Sequence, residues 1–174
     1  MTEHPTAVRD AGPGDAAALA EMANALARIT ARRAGAMTAE TVRRDLLRAP
    51  GLGCLVAETR GAVAGYALYT PAYETAFAAR GLYLSDLFVR PEARRRGLAR
   101  ALLAETARRA EAEGGRFVWW VADPGDAGAH AFYDRLGASR EALAGRAVFG
   151  CALDRLLGRA PLRLRAGAPV HSAS

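Results

Sequence analysis

Leu82-Tyr-Leu-Ser-Asp-Leu-Phe-Val89, followed by Arg90-Pro-Glu-Ala-Arg-Arg-Arg-Gly-Leu-Ala-Arg100, is the stretch on which the fold turns. Its first half is branched and aromatic enough to predict a buried strand. Arg90-Pro91-Glu92 breaks it, because proline has no amide hydrogen and restricts the residue before it. Gly97 then opens a segment that predicts a helix to about Glu113, ended by Gly114-Gly115. A strand, a tight arginine-rich loop and a helix N-terminus together make an anion site. The first-turn amides of a helix have no internal partners and lie at the positive end of its dipole. Gly97 lets a ligand come close to backbone, and Ala99 keeps the next turn small. Arg94, Arg95, Arg96 and Arg100 add charge, so the expected guest is a diphosphate held on the amides from Arg95 through Leu98 to Arg100. The alternative for the arginine run is a solvated basic turn.

The chain before this stretch predicts a short first strand, Ala7 to Arg9, and a helix capped by Asp15 and running to about Arg28. Thr38 caps a second helix with Val42, Leu46 and Leu47 pointing inward. Thr30 to Ala36 is the least regular part of this half. Cys54 to Glu58 and Ala62 to Tyr69 predict a hairpin around Arg60-Gly61, and residues 71–81 a loop. After the long helix, Arg116 to Ala122 predicts another buried strand, containing Trp119 and Trp120. Asp123 to Asp126 is a turn, Gly128 to Leu136 a short helix closed by Gly137, and Ala147 to Leu153 a last strand. The order suits a single α/β domain over residues 1–157 with a mixed, mostly antiparallel sheet. Gly, Pro, Ser and isolated Arg residues predict a disordered basic tail over 158–174.

Composition narrows the class. The 174 residues suit one domain with a sizeable core, and no apolar run approaches the ~18 residues of a membrane span. The first residues lack a basic region followed by an apolar core, so a cytoplasmic protein is expected. The net charge of +6 invites a nucleic-acid reading, but all 24 basic residues are Arg, and four of them (Arg155, Arg159, Arg163, Arg165) follow Asp154, the last acid of the chain. The remaining +2 is no basic footprint on a folded face. Cys54 and Cys151 lie in apolar surroundings without an adjacent activating base and read as small buried hydrophobes. His4, His130 and His171 form no metal-ligand spacing, and no metal is expected.

Arg94-x-x-Gly97-x-Ala99, placed after such a strand, resembles the signature of the GNAT superfamily of N-acetyltransferases. Ala129-His-Ala-Phe-Tyr-Asp-Arg-Leu-Gly-Ala138 is similar to a later block of the same family, and the two together are far more specific than either alone. Tyr83 to Arg94 looks most like the diamine and spermidine branch, except that Ser85 stands where that branch usually has a second acid beside Asp86. The resemblance covers about residues 6–154. It implies a twisted sheet flanked by helices with splayed central strands, acetyl-CoA as co-substrate, and a homodimer. It also implies that backbone at Leu87, Phe88 and Val89 pairs with the pantetheine arm in the manner of an added strand. Asp86 would assist deprotonation of the amine or orient it, and Tyr133 would protonate the leaving thiolate. A buried carboxylate requires a partner or a purpose, and a purely structural Asp86 is the alternative. Strand alternation puts Asp86 on the face of Leu84 and Phe88, with Ser85 opposite. Asp126 and Ala129, at the start of the short helix, stand where the family meets the cofactor arm. The later acidic position of the polyamine branch falls near Gly145. A long polycation needs several carboxylates, so a small amine such as a diamine or an amino acid is the expected acceptor. A protein or peptide N-acetyltransferase and a noncatalytic CoA-binding module are the other readings.

Overall fold

A computed structural model of the chain describes residues 7–30, 36–141, 146–148 and 150–159. Five strands lie side by side in chain order: β1 (Ala7–Asp10), β2 (Gly53–Thr59), β3 (Ala62–Glu74), β4 (Ala79–Val89) and β5 (Val118–Trp119). The first four are antiparallel neighbours, and β5 is parallel to β4. A parallel neighbour needs a crossover, which α3 (Leu98–Ala112) supplies. The other helices of this half are α1 (Ala16–Thr30) and α2 (Ala39–Thr41), which runs on through one wider turn, Val42–Leu46. The Thr38 hydroxyl caps α2 as expected, accepting the Thr41 amide at 3.1 Å.

The sheet is covered on both faces, which is why β2 reads as an unbroken apolar run rather than an alternating one. On one face, Leu98, Leu102 and Ala110 of α3 pack on Leu55, Ala57, Ala67, Leu82 and Leu84. On the other, Leu19 and Met22 of α1, with Val42 and Leu46, pack on Cys54, Val56, Tyr66 and Phe88. The chain forms two compact units, one ending at His130 and one beginning at Ala131, so the boundary falls within α4 (Ala127–Arg135). The second unit holds the rest of α4, closed by Gly137 at φ +77°, and α5 (Cys151–Leu156). No helix among the described residues is long and apolar enough to cross a membrane.

Several expectations are corrected. The loop expected at 71–81 is mostly strand: β3 runs to Glu74 and pairs with β4 through Glu74 and Ala79. Beyond Tyr69 it has left β2 behind, and a proline is tolerated at position 71 because that part of the strand is an edge. The strand expected over Arg116 to Ala122 shrinks to two residues, and Trp119 is 41% exposed rather than buried. The last expected strand is replaced by α5, whose leucines at 153, 156 and 157 follow helical spacing. Asp15 belongs to a turn before α1, where its carboxylate takes the Gly12 amide at 2.8 Å and the Arg9 guanidinium. Residues 31–35, Gly145 and the tail from 160 onward lie outside the described residues.

Two glycines set the spacing where β5 joins. A Cβ at Gly81 would stand 2.5 Å from the Phe117 carbonyl oxygen, and one at Gly115 would stand 3.1 Å from the Gly81 Cα. Backbone therefore crosses backbone here, and Leu82 N–H reaches the Phe117 carbonyl at 3.0 Å. Gly81→Ala is expected to lower unfolding free energy by about 1–3 kcal/mol. Urea denaturation of the variant beside the parent protein checks this.

Candidate active site

The site is built on an irregularity in β4. Leu84 pairs with Tyr69 and Asp86 with Leu68, so Ser85 is an extra residue without a partner, a β-bulge. The backbone records the insertion independently. The Leu82 amide faces β5 and the Arg90 amide faces β3, donating to Ala64 at 2.8 Å. Residues eight apart in a regular strand would face the same way. The Ser85 hydroxyl donates to the Leu68 carbonyl at 3.1 Å, a side-chain bond where the ladder is interrupted.

The bulge has two consequences. First, it reverses the faces: Leu82 and Leu84 point toward α3 before it, and Leu87 and Val89 do so after it. Asp86 therefore shares the α1 face with Phe88 but not with Leu84, correcting the simple alternation. Second, pairing of β4 with β5 stops at Tyr83, and no described strand lies along that edge from Leu84 to Val89. Ladder alternation from Arg90 aims the backbone of Leu87 and Val89 at this open edge, while Phe88 faces β3. The Val89 carbonyl there accepts Arg94 Nε at 3.1 Å.

Asp86 is half-buried, and the buried Tyr66 hydroxyl donates to its Oδ2 at 2.7 Å. Burial pushes the Asp86 carboxyl above its ordinary value, and the Tyr66 hydrogen bond partly opposes this. The Tyr66 phenol is itself raised, first by burial and then by the Asp86 charge. Burial pushes the Cys54 thiol up to about 12, which suits packing rather than nucleophilic chemistry.

Past the open edge, Pro91–Ala93 makes a single tight turn, and Arg95 and Gly97 take positive φ values of 64° and 81°. No side chain caps α3, and no acidic residue lies in its first turn. The amides at its start have no intrahelical acceptor. Leu98 is buried and pins the helix to the sheet, whereas Arg94, Arg95, Arg96 and Arg100 are exposed around it. Apart from its chain neighbours, no heavy atom of the described residues lies within 4 Å of where a Gly97 Cβ would stand, so the backbone is open to a ligand. This cradle fits an anionic group.

The sequence model of the Acetyltransferase (GNAT) family matches residues 20–138. The chain belongs to the GNAT family. Members of that family use acetyl-CoA as co-substrate, which the cradle at Gly97 fits. The L-ornithine N5-acetyltransferase of Arabidopsis thaliana is 36% identical over 76 residues, 44% of this chain and 33% of that protein, so the match spans a third of its length. Among solved structures, a transcriptional regulator from Bacillus halodurans superposes with a TM-score of 0.72 at 18% identity, covering 83% of this chain and 100% of that one. An aminoglycoside acetyltransferase from an uncultured soil metagenomic sample gives 0.65 at 23% identity, covering 83% and 99%. These two likenesses show the fold.

The remaining GNAT positions fall on α4. The Asp126 carboxylate caps this helix, accepting the Ala129 amide at 2.9 Å, so part of what the sequence offered to the cofactor arm is used locally. Tyr133 lies beyond the unit boundary; its ring is half-buried and 5.2 Å from that of Phe132, centroid to centroid. The structure thus joins Asp86, the open edge and the arginine loop within one unit, with Tyr133 in the other. Sequence reasoning missed Tyr66 and the bulge. Tyr66 pairs with Phe88, two residues along from Asp86, so the register would have pointed to it. Among the described residues no group of three or more His, Cys, Asp or Glu could hold a metal ion.

Two carboxylates here should respond to pH with opposite sign. Hydrogen bonding from Arg9 holds Asp15 below its ordinary value of 3.8, so its stabilisation is present above that pH and lost as pH falls through the lowered value. Asp86 is raised, so its contribution is complete below 3.8 and is lost as pH rises through the raised value. Asp15→Asn is expected to cost about 1 kcal/mol at pH 7, less in acid, whereas Asp86→Asn should compare best with the parent at pH 7. Chemical denaturation at pH 7 and pH 3 distinguishes them.

Proposed function

We propose that this chain is an acetyl-CoA-dependent N-acetyltransferase acting by direct attack of a primary amine on the thioester. The acceptor is a small molecule, such as a diamine or an amino acid. The observation that carries the reading is the open edge of β4, which leads without a break into the arginine loop and the uncapped start of α3. Leu87 and Val89 would hold the pantetheine arm through backbone, with Phe88 fixed behind them by β3. The amides from Arg95 and Arg96 through Gly97, Leu98 and Ala99 to Arg100, with the Arg94 side chain beside them, would hold the diphosphate. Asp126 and Ala129 would border the arm at the first turn of α4.

Bound acetyl-CoA supplies an activated acyl group and a thiolate leaving group. An ammonium has no lone pair, so Asp86 takes a proton from it, directly or through water. The C–N bond forms as the C–S bond breaks, and the nitrogen loses a second proton. Tyr133 gives its proton to the sulfur and is reprotonated. The balance is an amide, the free thiol of CoA, and one proton released to solvent. A neutral phenol suits this donation, since it holds its proton at rest without carrying charge.

The small-amine acceptor is supported by the likeness to an ornithine acetyltransferase, and by Ser85 standing in place of a second acid. The resemblance to the polyamine branch also implies a homodimer, which sedimentation would check. Thiol release from acetyl-CoA should be followed across diamines, polyamines, amino acids, aminoglycosides and a lysine peptide. We expect turnover of a small amine, lowered about 100-fold or more in Tyr133→Phe. Gly97→Val should raise the KM for acetyl-CoA and, because φ there is +81°, also lower the melting temperature by several degrees. Tight CoA binding without turnover of any amine would favour a binding module, and turnover of the peptide alone a protein acetyltransferase.

A further inference from the structure

The α1 face of the sheet distributes its negative charge unevenly. Asp15 is paired with Arg9, Glu21 with Arg90 at 2.8 Å, Glu40 with Arg43 and Asp45 with Arg44. Asp86 differs: among the described residues its partner is the neutral hydroxyl of Tyr66, with the buried Cys54 of β2 also within its electrostatic reach. Among the described residues no arginine pairs with this half-buried carboxylate, whereas the four acids just named each have one, and a carboxylate so placed requires a partner or a purpose. It lies next to Leu87, whose backbone opens on the free edge of β4.

We propose that Tyr66 is the positioning residue of the acceptor subsite, its hydroxyl holding the Asp86 carboxylate so that this carboxylate receives one ammonium group of a small acceptor. The inference rests on the N-acetyltransferase reading above and gives that site its acceptor class: an amine recognised through one positive charge rather than along a polycation. Tyr66 is 1% exposed and anchored on β3, so its hydroxyl cannot follow a moving carboxylate. It fixes one oxygen and leaves the other for the amine. Its donation also favours the ionised form of Asp86 against burial, the form a proton acceptor requires.

The test uses the full chain and the amine that turns over best in the panel. Tyr66→Phe keeps the ring and removes only the hydroxyl. We expect kcat/KM for the amine to fall about tenfold while the KM for acetyl-CoA stays unchanged. The acid limb of the kcat/KM profile should move to higher pH, which loss of packing alone would not produce. The double variant Tyr66→Phe/Asp86→Asn should be no worse than Asp86→Asn alone, because both act through one carboxylate. Additive losses, or an unmoved acid limb in a folded Tyr66→Phe protein, overturn the proposal. If Tyr66→Phe fails to fold, the ¹³C carboxyl resonance of Asp86 in the parent protein decides: it should move when the amine is added, and a stationary resonance sinks the idea. Should acetyl-CoA bind but no amine turn over, the catalytic reading itself fails, and this inference with it.

Discussion

One inserted residue governs the architecture. Ser85 has no partner on β3, and that mismatch rotates the strand by one position. Pairing with β5 ends immediately before it, the faces exchange at it, and an acid emerges on the α1 side after it. An unbulged strand would send Asp86 into the α3 core against Leu98 and Leu102, where a charge has no solvation. The bulge thus separates two tasks along one strand. Up to Tyr83, β4 is a structural member of the sheet; from Leu84 it is an edge whose polar backbone is available.

An unpaired edge ordinarily invites association with another strand. Here the edge is short, twisted by the bulge and followed at once by a proline turn, and Arg94 already occupies the Val89 carbonyl. These features restrict what can add to it. The same turn carries Arg95 and Gly97 into left-handed conformations, and among the described residues only its chain neighbours approach the place of a Gly97 Cβ. Leu98, buried directly after, holds that geometry from the core side. Exposed amides and a buried anchor on adjacent residues let the loop be open and fixed together.

Local chemistry in the sequence was a good guide to elements and a poor one to register. Arg90-Pro91 and Gly97 mark the end of β4 and the start of α3, because proline and a positive φ act within a residue or two. Arg60-Gly61 marks the hairpin for the same reason, and Thr38 the start of α2. The bulge has no such local mark. Ser85 is an ordinary strand residue, and only the pairing with Tyr69 and Leu68 shows that it is extra. For that reason the side of Asp86, and Tyr66 as its partner, were not legible. The missed length of β3 has a related cause: Pro71 reads as a breaker unless one knows that β2 has ended. The arginine loop and the Tyr133 block were legible as motifs, whereas the capping bond of Asp126 depends on a geometry that spacing does not convey.

The ion pairs that tie the elements of the first unit together share one property. Arg9 joins β1 to Asp15 and Glu58, Arg90 joins the end of β4 to Glu21, and Arg109 joins α3 to Asp10. Each cation is a guanidinium, and the chain contains no lysine at all. A guanidinium keeps its proton at any ordinary pH and offers no lone pair to an acyl thioester. A lysine in the same place would be a nucleophile, and its acylation would erase the charge that holds the pair. On the N-acetyltransferase reading, the protein is braced by cations that activated acetyl groups leave alone, and its scaffold is chemically blind to the reagent proposed for it.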